Sequence, residues 1–340
     1  MTRNASNKLL TKAKKSKSDE FYTQLCDIER ELQYYPNQFK GKVVYCNCDD
    51  PYVSNFFKFF VENFHSLGLK KLIASCYKEQ GDFLFSHTDN SKGFYCEYNG
   101  EKDNKIKIIN FSGDGDFRSK ECKELLVQSD IVVTNPPFSL FREFVSQIIE
   151  FNKKFLIIGN VNAITYKEIF DLIQKNKVWL GVNLGRGISG FIVPDHYDLY
   201  GTEVSINSNG ERIIATNSCL WLTNLELSRR HEDIILKKRY LGNEISYPKY
   251  DNCEGININK TKDIPYDYHG LMGVPITFLH KYNPEQFEIV RFRKGDDGKD
   301  LRINGKCPYF RILIRNKRIN NQKRHDKTLA APQKAFFTSN

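Results

Sequence analysis

The stretch that decides the fold is Ser129–Phe141, which reads SDIVVTNPPFSLF. Its run Ile131–Thr134 is short, apolar and β-branched, as expected of a buried strand. Pro136 and Pro137 follow almost at once, fix φ and carry no N–H group, so they end the strand in a stiff turn. Apolar residues at helical spacing come after the turn. A buried strand, a rigid turn and a helix in direct succession indicate a protein of the α/β class.

The alternation of strand and helix continues on both sides of this stretch. Further strands are predicted at Lys42–Cys48, Lys71–Tyr77, Ile106–Phe111, Phe155–Gly159, Val178–Gly181, Ile188–Val193 and Cys219–Leu225. Helices are predicted at Glu20–Leu32, Val53–Phe64, Glu121–Gln128, Leu140–Phe151 with Ser139 as its cap, and from a Thr165–Glu168 capping box to Lys175. Residues 80–105 are polar and rich in turn-forming residues, so no element is predicted there.

This pattern predicts a doubly wound, mostly parallel sheet of the Rossmann-like kind with a smaller C-terminal region. Four segments follow from it: a basic arm at 1–18, the α/β domain at 19–225, a second region at 226–320, and a tail at 321–340 that is expected to be disordered. In doubly wound sheets ligands bind at the carboxyl ends of the strands. The residues just after each strand are therefore the candidates for chemistry.

The turn after the 131–134 strand suits one chemical task. The side-chain oxygen of Asn135 and the backbone oxygen of Pro136 can accept both hydrogens of an amino group on a flat heterocycle. The ring of Phe138 can stack on the face of that heterocycle. Two directed hydrogen bonds draw the amino nitrogen towards tetrahedral geometry, so its lone pair leaves conjugation and becomes nucleophilic without a strong base. Pro137 stiffens the turn, and the four residues together are the candidate catalytic motif.

The positive charge lies at the two ends of the chain. The protein has 51 Lys and Arg residues against 41 Asp and Glu residues. Residues 1–17 hold six basic residues and no acidic one, and residues 311–327 hold seven basic residues and one acidic one. The body between them is slightly acidic. The two basic ends are either solvated tails or arms that bind phosphates. Which interpretation holds depends on the function of the region between them.

Composition excludes several classes of protein. A hydrophobic fraction of 40% is too high for a wholly disordered chain. No apolar run approaches the length of a membrane span, and no apolar segment follows Met1 as a secretory signal would require. The nine cysteines are odd in number and scattered, which favours reduced thiols in a cytoplasmic protein. Cys46 and Cys48 are interpreted as buried side chains, and no metal site is predicted.

Several segments together resemble the EcoRI-type adenine-N6 DNA methyltransferases, a family of S-adenosylmethionine-dependent enzymes. The resemblance runs from about Arg3 to Arg318 and is carried by KKSKSDEFYTQ, VVYCNCDDP, GDGDFRS, SDIVVTNPPFSLF, YKEIFDLI, LGRGISGFIVP and GVPITFLH. It implies methylation of adenine N6 in double-stranded DNA at a GAATTC-type site, with S-adenosylmethionine as cofactor. It also implies a bacterial cytoplasmic enzyme that acts as a monomer and protects DNA from a cognate restriction enzyme.

The resemblance places cofactor contacts after successive strands. They are Tyr22 and Thr23 for the methionine part, Asp49 or Asp50 after the first strand, Tyr77 or Glu79 after the second, and Asp116 with Phe117 for the adenine ring. Most related enzymes have glycines after the first strand, which let the backbone approach the cofactor closely. The corresponding stretch, CNCDDPYVSN, has none.

The resemblance also implies that the target adenine is rotated out of the duplex. Phe138 would stack on one face of the flipped base, and Phe191 or Trp221 would hold the other. Region 226–320 would read the DNA sequence. Phosphate contacts are expected from both ends of the chain, namely from Lys12, Lys14, Lys15, Lys17, Arg315, Lys317 and Arg318.

Two alternatives remain open from the sequence. The same chemistry serves methyltransferases of ribosomal RNA and of a protein glutamine amide, but these need no long region beyond the catalytic motif. A DNA-binding protein that kept the fold and lost the activity is the other alternative. The intact Asn135–Phe138 motif argues against it.

Overall fold

The computed structural model describes residues 22–77, 93–101, 105–193, 204–207, 209–215, 218–293, 301–307 and 310–318. The predicted basic arm, which includes Lys12, Lys14, Lys15 and Lys17, the predicted C-terminal tail and Glu79 lie outside the described residues. The chain divides between Leu227 and Ser228 into two compact units, here named the N-terminal unit and the C-terminal unit.

The N-terminal unit alternates strands with helices. Its strands are β1 (Tyr22–Thr23), β2 (Val43–Asn47), β3 (Lys71–Cys76), β4 (Phe94–Tyr98), β5 (Lys107–Asn110), β6 (Ile131–Thr134), β7 (Lys154–Asn160), β8 (Trp179–Leu184), β9 (Phe191–Ile192), β10 (Val204–Ile206), β11 (Arg212–Ile214) and β12 (Cys219–Thr223). Its helices are α1 (Leu25–Leu32), α2 (Asn55–Glu62), α3 (Phe64–Leu67), α4 (Lys120–Gln128), α5 (Phe141–Glu150) and α6 (Lys167–Gln174).

Eight strands form one mixed sheet in the order β5-β4-β3-β2-β6-β7-β12-β8. The four central strands, β3, β2, β6 and β7, are parallel. The strands on both flanks pair antiparallel with their neighbours. The α/β class is thus confirmed, whereas a mostly parallel sheet is correct for the centre and wrong for the flanks. Hydrophobic patterning reports burial of a strand and carries little information about its direction.

The parallel centre brings the ends of several strands to one edge of the sheet. Strands β2, β3, β6 and β7 end there at Asn47, Cys76, Thr134 and Asn160. Every residue of β2 and of β6 is buried, as expected where both faces of a parallel sheet are covered. This edge, here named the carboxyl edge, carries the loops that the sequence marks as functional.

Four local predictions are wrong. Tyr22 and Thr23, which fall within the predicted Glu20–Leu32 helix, form strand β1, and the helix begins at Leu25. Strand β4 lies within residues 80–105, where no element was predicted. Ser139 does not cap a helix, because a 3₁₀ turn at Phe138–Leu140 precedes α5 and no side chain caps that helix. Thr165 does not open α6 either, since its hydroxyl donates to the backbone oxygen of Asn162 at 2.7 Å.

A second, smaller sheet has the order β1-β9-β11-β10 and is antiparallel throughout. Its first pair places Thr23 opposite Phe191. Helix α1 fixes this pair through two buried carboxylates. Asp27 accepts hydrogen bonds from the backbone and hydroxyl of Ser189, and Glu31 accepts from the backbone of Val182 and of Asn183. Helix α1 is therefore held to β8 and to the segment before β9.

The C-terminal unit contains one mixed sheet in the order β13-β14-β15-β17-β16. Its strands are β13 (Lys249–Tyr250), β14 (Cys253–Asn257), β15 (Leu271–Pro275), β16 (Phe287–Arg293) and β17 (Arg311–Asn316). The buried guanidinium of Arg311 donates to Asn257 at 2.9 Å, so this arginine stabilises the sheet interior. Among the described residues of this unit, short 3₁₀ helices and no α-helix lie between the strands, which explains why the sequence alternation stops after the first unit.

No helix among the described residues has the length and apolarity that crossing a membrane requires. All nine cysteines are free thiols.

Candidate active site

The Asn135–Phe138 turn leaves β6 at the carboxyl edge. Thr134 is fully buried at the end of the strand, and the side-chain oxygen of Asn135 is also shielded from solvent. Pro136 is buried, while the ring of Phe138 is partly exposed. The turn therefore presents the side-chain carbonyl oxygen of Asn135, which is shielded from solvent, beside the partly exposed ring of Phe138. Such a site can accept hydrogen bonds from a flat amino-substituted ring.

A hydrogen-bonded chain connects this turn to the loop after β2. The hydroxyl of Thr134 contacts the backbone oxygen of Asn47 and the Oδ2 atom of Asp49. The other carboxylate oxygen of Asp49 accepts from the Ser54 hydroxyl at 2.7 Å. Ser54 in turn caps α2 by accepting from the backbone of Phe56 at 3.1 Å. Asp49 is thus engaged on both oxygens and ties the loop to the residue that precedes Asn135.

Burial dominates the electrostatics of Asp49. Desolvation raises the pKa of its carboxyl group from 3.8 to about 7, although the hydrogen bonds from Thr134 and Ser54 favour the charged form. Asp50 differs, because it is partly exposed and its Oδ1 atom accepts from the backbone of Tyr52 at 2.9 Å. The two candidates for the cofactor loop therefore occupy different environments.

The loop after β2 turns without a glycine. Cys48 adopts a positive φ of 67°, a left-handed conformation that side chains rarely occupy. The backbone N–H of Asp49 donates to the backbone oxygen of Ser75 at 3.0 Å, which ties the loop to β3. A cysteine in a strained backbone conformation thus provides the change of direction, a role for which glycine is the usual residue.

The ring of Phe138 lies against the small sheet, next to strand β9. The rings of Phe138 and Phe191 lie 6.1 Å apart at 69°, with Phe191 only 1% exposed. Thr23, opposite Phe191 in the ladder, is 3% exposed, and its hydroxyl oxygen has no hydrogen-bond partner among the described residues. Asn55 at the start of α2 donates to the backbone oxygen of Thr23 at 2.8 Å. Tyr22 precedes Thr23 in β1 and is partly exposed.

Asp116 and Phe117 follow β5, whose end also lies at the carboxyl edge. Arg118 holds both oxygens of Asp116, with Nε at 2.9 Å from Oδ1 and Nη2 at 2.7 Å from Oδ2. This hydrogen-bonded arginine lowers the pKa of Asp116, so its carboxylate is firmly ionised. The ring of Phe117 is 3% exposed and packs edge-on against Phe144 of α5 at 5.1 Å. The ring is engaged with the helix behind it.

Tyr77 directly follows β3 at the same edge and is 45% exposed. Tyr52 is 68% exposed, and its ring lies 5.6 Å from that of Phe94 at the start of β4. Accessible aromatic rings therefore lie beside the loop that holds Asp49 and Asp50.

The basic residues predicted to contact phosphates in β17 and just after it have partners in their own unit. Arg315 pairs with Glu288 at 3.1 Å, and Lys317 donates to the backbone oxygen of Pro284 at 2.8 Å. Arg318 contacts Asp233 and lies 4.0 Å from Glu285. The side chains of Arg315 and Arg318 remain 49% and 42% exposed.

The donor set at the carboxyl edge suits an organic ligand better than a metal ion. Among the described residues, no group of three or more histidine, cysteine or acidic side chains could hold a metal. Carboxylates, an unpaired hydroxyl and aromatic rings instead surround the loops of a mixed α/β sheet. The fold and the Asn-Pro-Pro-Phe turn together are typical of a methyltransferase that acts on amino groups.

Comparison with known proteins specifies this class further. The chain belongs to the family described as "Adenine-specific methyltransferase EcoRI", whose model matches residues 9–317. It is 68% identical over 324 residues to type II methyltransferase M.EcoRI of Escherichia coli, which covers 94% of the chain and 99% of the relative. It is 38% identical over 325 residues to type II methyltransferase M.MpnI of Mycoplasma pneumoniae, covering 90% of the chain and 97% of the relative. No solved structure matches.

This membership confirms the resemblance inferred from the sequence motifs. The protein is a site-specific DNA methyltransferase that modifies adenine, of the type found in restriction-modification systems. Methyl transfer requires a methyl donor, and the buried hydroxyl of Thr23 is a polar atom that still lacks a partner among the described residues.

Sequence reasoning missed three residues that organise the site. Thr134 and Ser54 are the two donors to Asp49, and Arg118 is the partner of Asp116. A buried hydroxyl at the last position of a strand was the available signal for Thr134. Arg118 stands two residues after Asp116, a spacing that permits a local ion pair.

Proposed function

We propose that the protein transfers the methyl group of S-adenosylmethionine to N6 of an adenine in double-stranded DNA, at GAATTC sites. The modification would protect these sites from a cognate restriction enzyme, and the protein would act as a monomer. The single observation that carries the proposal is the Asn135–Phe138 turn at the carboxyl edge, where a dry carbonyl oxygen lies beside an accessible ring.

The catalytic step follows from the chemistry of this turn. Asn135 Oδ1 and the backbone oxygen of Pro136 accept the two N6 hydrogens of the adenine, so the nitrogen lone pair is localised and aimed for attack. Pro136 and Pro137 hold both acceptors with little conformational freedom. Positioning of this kind can supply a large part of a rate enhancement. After transfer, the nitrogen carries a positive charge and its proton leaves to solvent.

The target base would be held between two aromatic side chains. Phe138 stacks on one face, and Phe191 approaches from the small sheet. Since the rings already lie 6.1 Å apart, a base entering between them requires one ring to shift. An adenine in a duplex has its amino group paired, so the nucleotide would rotate out before it reaches the turn.

The residues around the loops fit the chemistry of S-adenosylmethionine. When bound, this cofactor supplies a methyl group on a positively charged sulfur. Thr23 would contact the methionine part through its unpartnered hydroxyl, with Tyr22 beside it. Asp50 has the accessible carboxylate of the loop, while Asp49 would position the loop from within. Tyr77 would line the ribose side, and Asp116 and Phe117 the adenine side.

The phosphate contacts remain part of the proposal. Arg315 and Arg318 are exposed enough to reach phosphates while they keep their carboxylate partners. Lys317 would contribute beside them, and the lysines of the N-terminal arm (Lys12, Lys14, Lys15 and Lys17) would contact the backbone from the other end of the chain. The C-terminal unit would read the sequence of the site.

The test is transfer of labelled methyl groups from S-adenosylmethionine into defined substrates. We expect label in a duplex that contains GAATTC, recovered as N6-methyladenine, and little in a duplex with a scrambled site. Label in ribosomal RNA or protein, with none in any duplex, would refute the proposal.

A further inference from the structure

The C-terminal unit presents a segment with both exposed aliphatic side chains and consecutive cations. We propose that residues 235–246, here named the 235–246 ridge, dock onto duplex DNA, with the cations on phosphates and the aliphatic side chains on thymine methyl groups. The inference rests on the proposed function, which supplies the GAATTC duplex, and it assigns the part of the C-terminal unit that meets that duplex.

Aliphatic side chains are unusually exposed along the ridge. Ile235, Leu241 and Ile245 are 78%, 55% and 97% exposed. A single exposed aliphatic residue is ordinary on a protein surface, but several in one short segment mark a site of interaction.

The same segment is basic. Lys237, Lys238 and Arg239 are consecutive and exposed, and Glu244 is the one acidic residue of the ridge. Neither Lys237 nor Lys238 forms an ion pair with any described residue. Arg239 lies 3.5 Å from Asp267 and keeps 60% of its side chain exposed. The charge is therefore available to a partner, and consecutive cations favour a polyanion.

The ridge is held rigidly although it projects into solvent. The carboxylate of Asp267 accepts from the backbone of Tyr240 at 2.6 Å and of Leu241 at 3.1 Å. The backbone of Asn243 donates to Tyr240 at 2.8 Å and closes a turn with Gly242 at a φ of 82°. Leu241 thus occupies the corner of a fixed turn. A surface fixed before binding loses little conformational entropy when it docks.

Duplex DNA matches both properties of the ridge. Its phosphates accept contacts from lysine and arginine, and these contacts set the position of a protein on the helix. The apolar group that bases present in the major groove is the thymine methyl group, which takes contacts from aliphatic side chains. Both strands of GAATTC carry adjacent thymines. The proposed target therefore offers apolar contacts where the ridge exposes aliphatic side chains.

The cations are tested by the salt dependence of binding. A variant with Lys237→Ala, Lys238→Ala and Arg239→Ala should lower the slope of log affinity against log salt by up to about 2.7, for GAATTC and scrambled duplexes alike. The control variant, Lys40→Ala, Lys42→Ala and Lys70→Ala, also removes three positive charges. These lysines lie at the amino ends of β2 and β3, at the edge of the large sheet opposite the carboxyl edge. We expect the slope of the control variant to match the wild type. Equal slopes in all three proteins would overturn the cationic part.

The aliphatic side chains are tested with uracil in place of thymine. Wild-type protein should bind the uracil duplex more weakly, by about fourfold for each methyl group that it contacts. A variant with Ile235→Ser, Leu241→Ser and Ile245→Ser should bind both duplexes equally and keep the wild-type salt slope. If the wild-type protein binds the uracil and thymine duplexes with equal affinity, the proposed contacts with thymine methyl groups are wrong. They are also wrong if the serine substitutions leave DNA binding intact and instead change self-association of the protein, measured by sedimentation.

The two proposals fail separately in these experiments. If wild-type protein methylates the GAATTC duplex and the ridge variants bind that duplex like the wild type, the proposed docking of the ridge on DNA is wrong and the proposed function is retained. If wild-type protein methylates no duplex, the proposed function is wrong.

Discussion

Replacing Thr134 with valine should uncouple the catalytic turn from the loop after β2. Valine has nearly the shape of threonine but replaces its hydroxyl group with a methyl group. The variant therefore loses the contacts of that hydroxyl with Asn47 and Asp49. Because Thr134 is fully buried, water cannot replace them.

The magnitude follows from the environment of the lost contacts. A hydrogen bond to a charged group contributes about 1.5–3 kcal/mol to stability, and the free-energy cost of leaving its buried acceptor without a partner is of similar size. We therefore expect the free energy of unfolding to fall by about 2–3 kcal/mol. The neighbouring Asn135 loses its anchor, and a displacement of about 1 Å at a reacting centre can lower a rate by about 10²-fold. We expect kcat to fall by between about 10-fold and 100-fold.

The assay is single-turnover methyl transfer into a GAATTC duplex at saturating cofactor and DNA, with unfolding measured in parallel. Thr134→Ser keeps the hydroxyl and should restore most of the rate. Thr223→Val is the matched control, because Thr223 is also a fully buried strand end whose hydroxyl donates to Phe155 at 2.6 Å. It should lose stability and keep its rate. A Thr134→Val enzyme within twofold of wild type, or a Thr223→Val enzyme equally impaired in rate, would refute the reasoning.

Three further predictions concern other residues of the N-terminal unit. Burial raises the pKa of Asp49 from 3.8 to about 7, so the contribution of this carboxyl group to stability is present at low pH and is lost as the pH rises between these two values. In urea unfolding, the stability advantage of wild type over Asp49→Asn should therefore be larger at pH 5 than at pH 8, and an equal advantage at both pH values would contradict this. Gly181→Ala should destabilise the protein by about 1–3 kcal/mol, because the new Cβ would lie 2.3 Å from Glu31 Oε1, and an unchanged unfolding midpoint would contradict this. Arg118→Ala should release Asp116 and raise the KM for S-adenosylmethionine several-fold with kcat little changed, and unchanged cofactor kinetics would remove Asp116 from the site.

The sequence was most informative where one pattern had one physical cause. The 131–134 strand was predicted with its observed bounds, since a short apolar run that ends at two prolines has few alternatives. The chemistry of the turn at Asn135 could also be predicted from its residue types, because they limit what the turn can bind.

The sequence was least informative where long-range pairing decides the structure. Strand β4 has a mixed burial pattern and pairs antiparallel with β3, so no local signal fixed its place. Ser139 was a plausible cap, but the residues around it form a 3₁₀ turn instead. Asp49 and Asp50 could not be separated by sequence, because the difference between them comes from Thr134, a residue distant in the chain.

The central claim is that Asn135 activates the adenine amino group, and single-turnover methyl transfer by an Asn135→Ala variant tests it most directly. The control is Asn160→Ala, since Asn160 ends the neighbouring parallel strand β7 and its side chain accepts from the backbone of Asn162 at 2.9 Å. We predict that Asn135→Ala lowers the rate by about 10²–10³-fold, as loss of a positioned hydrogen-bonding group can, while duplex affinity and cofactor affinity stay near wild type. The Asn160→Ala enzyme should transfer methyl groups at close to the wild-type rate. An Asn135→Ala enzyme that transfers methyl groups as fast as its Asn160→Ala control would contradict the account.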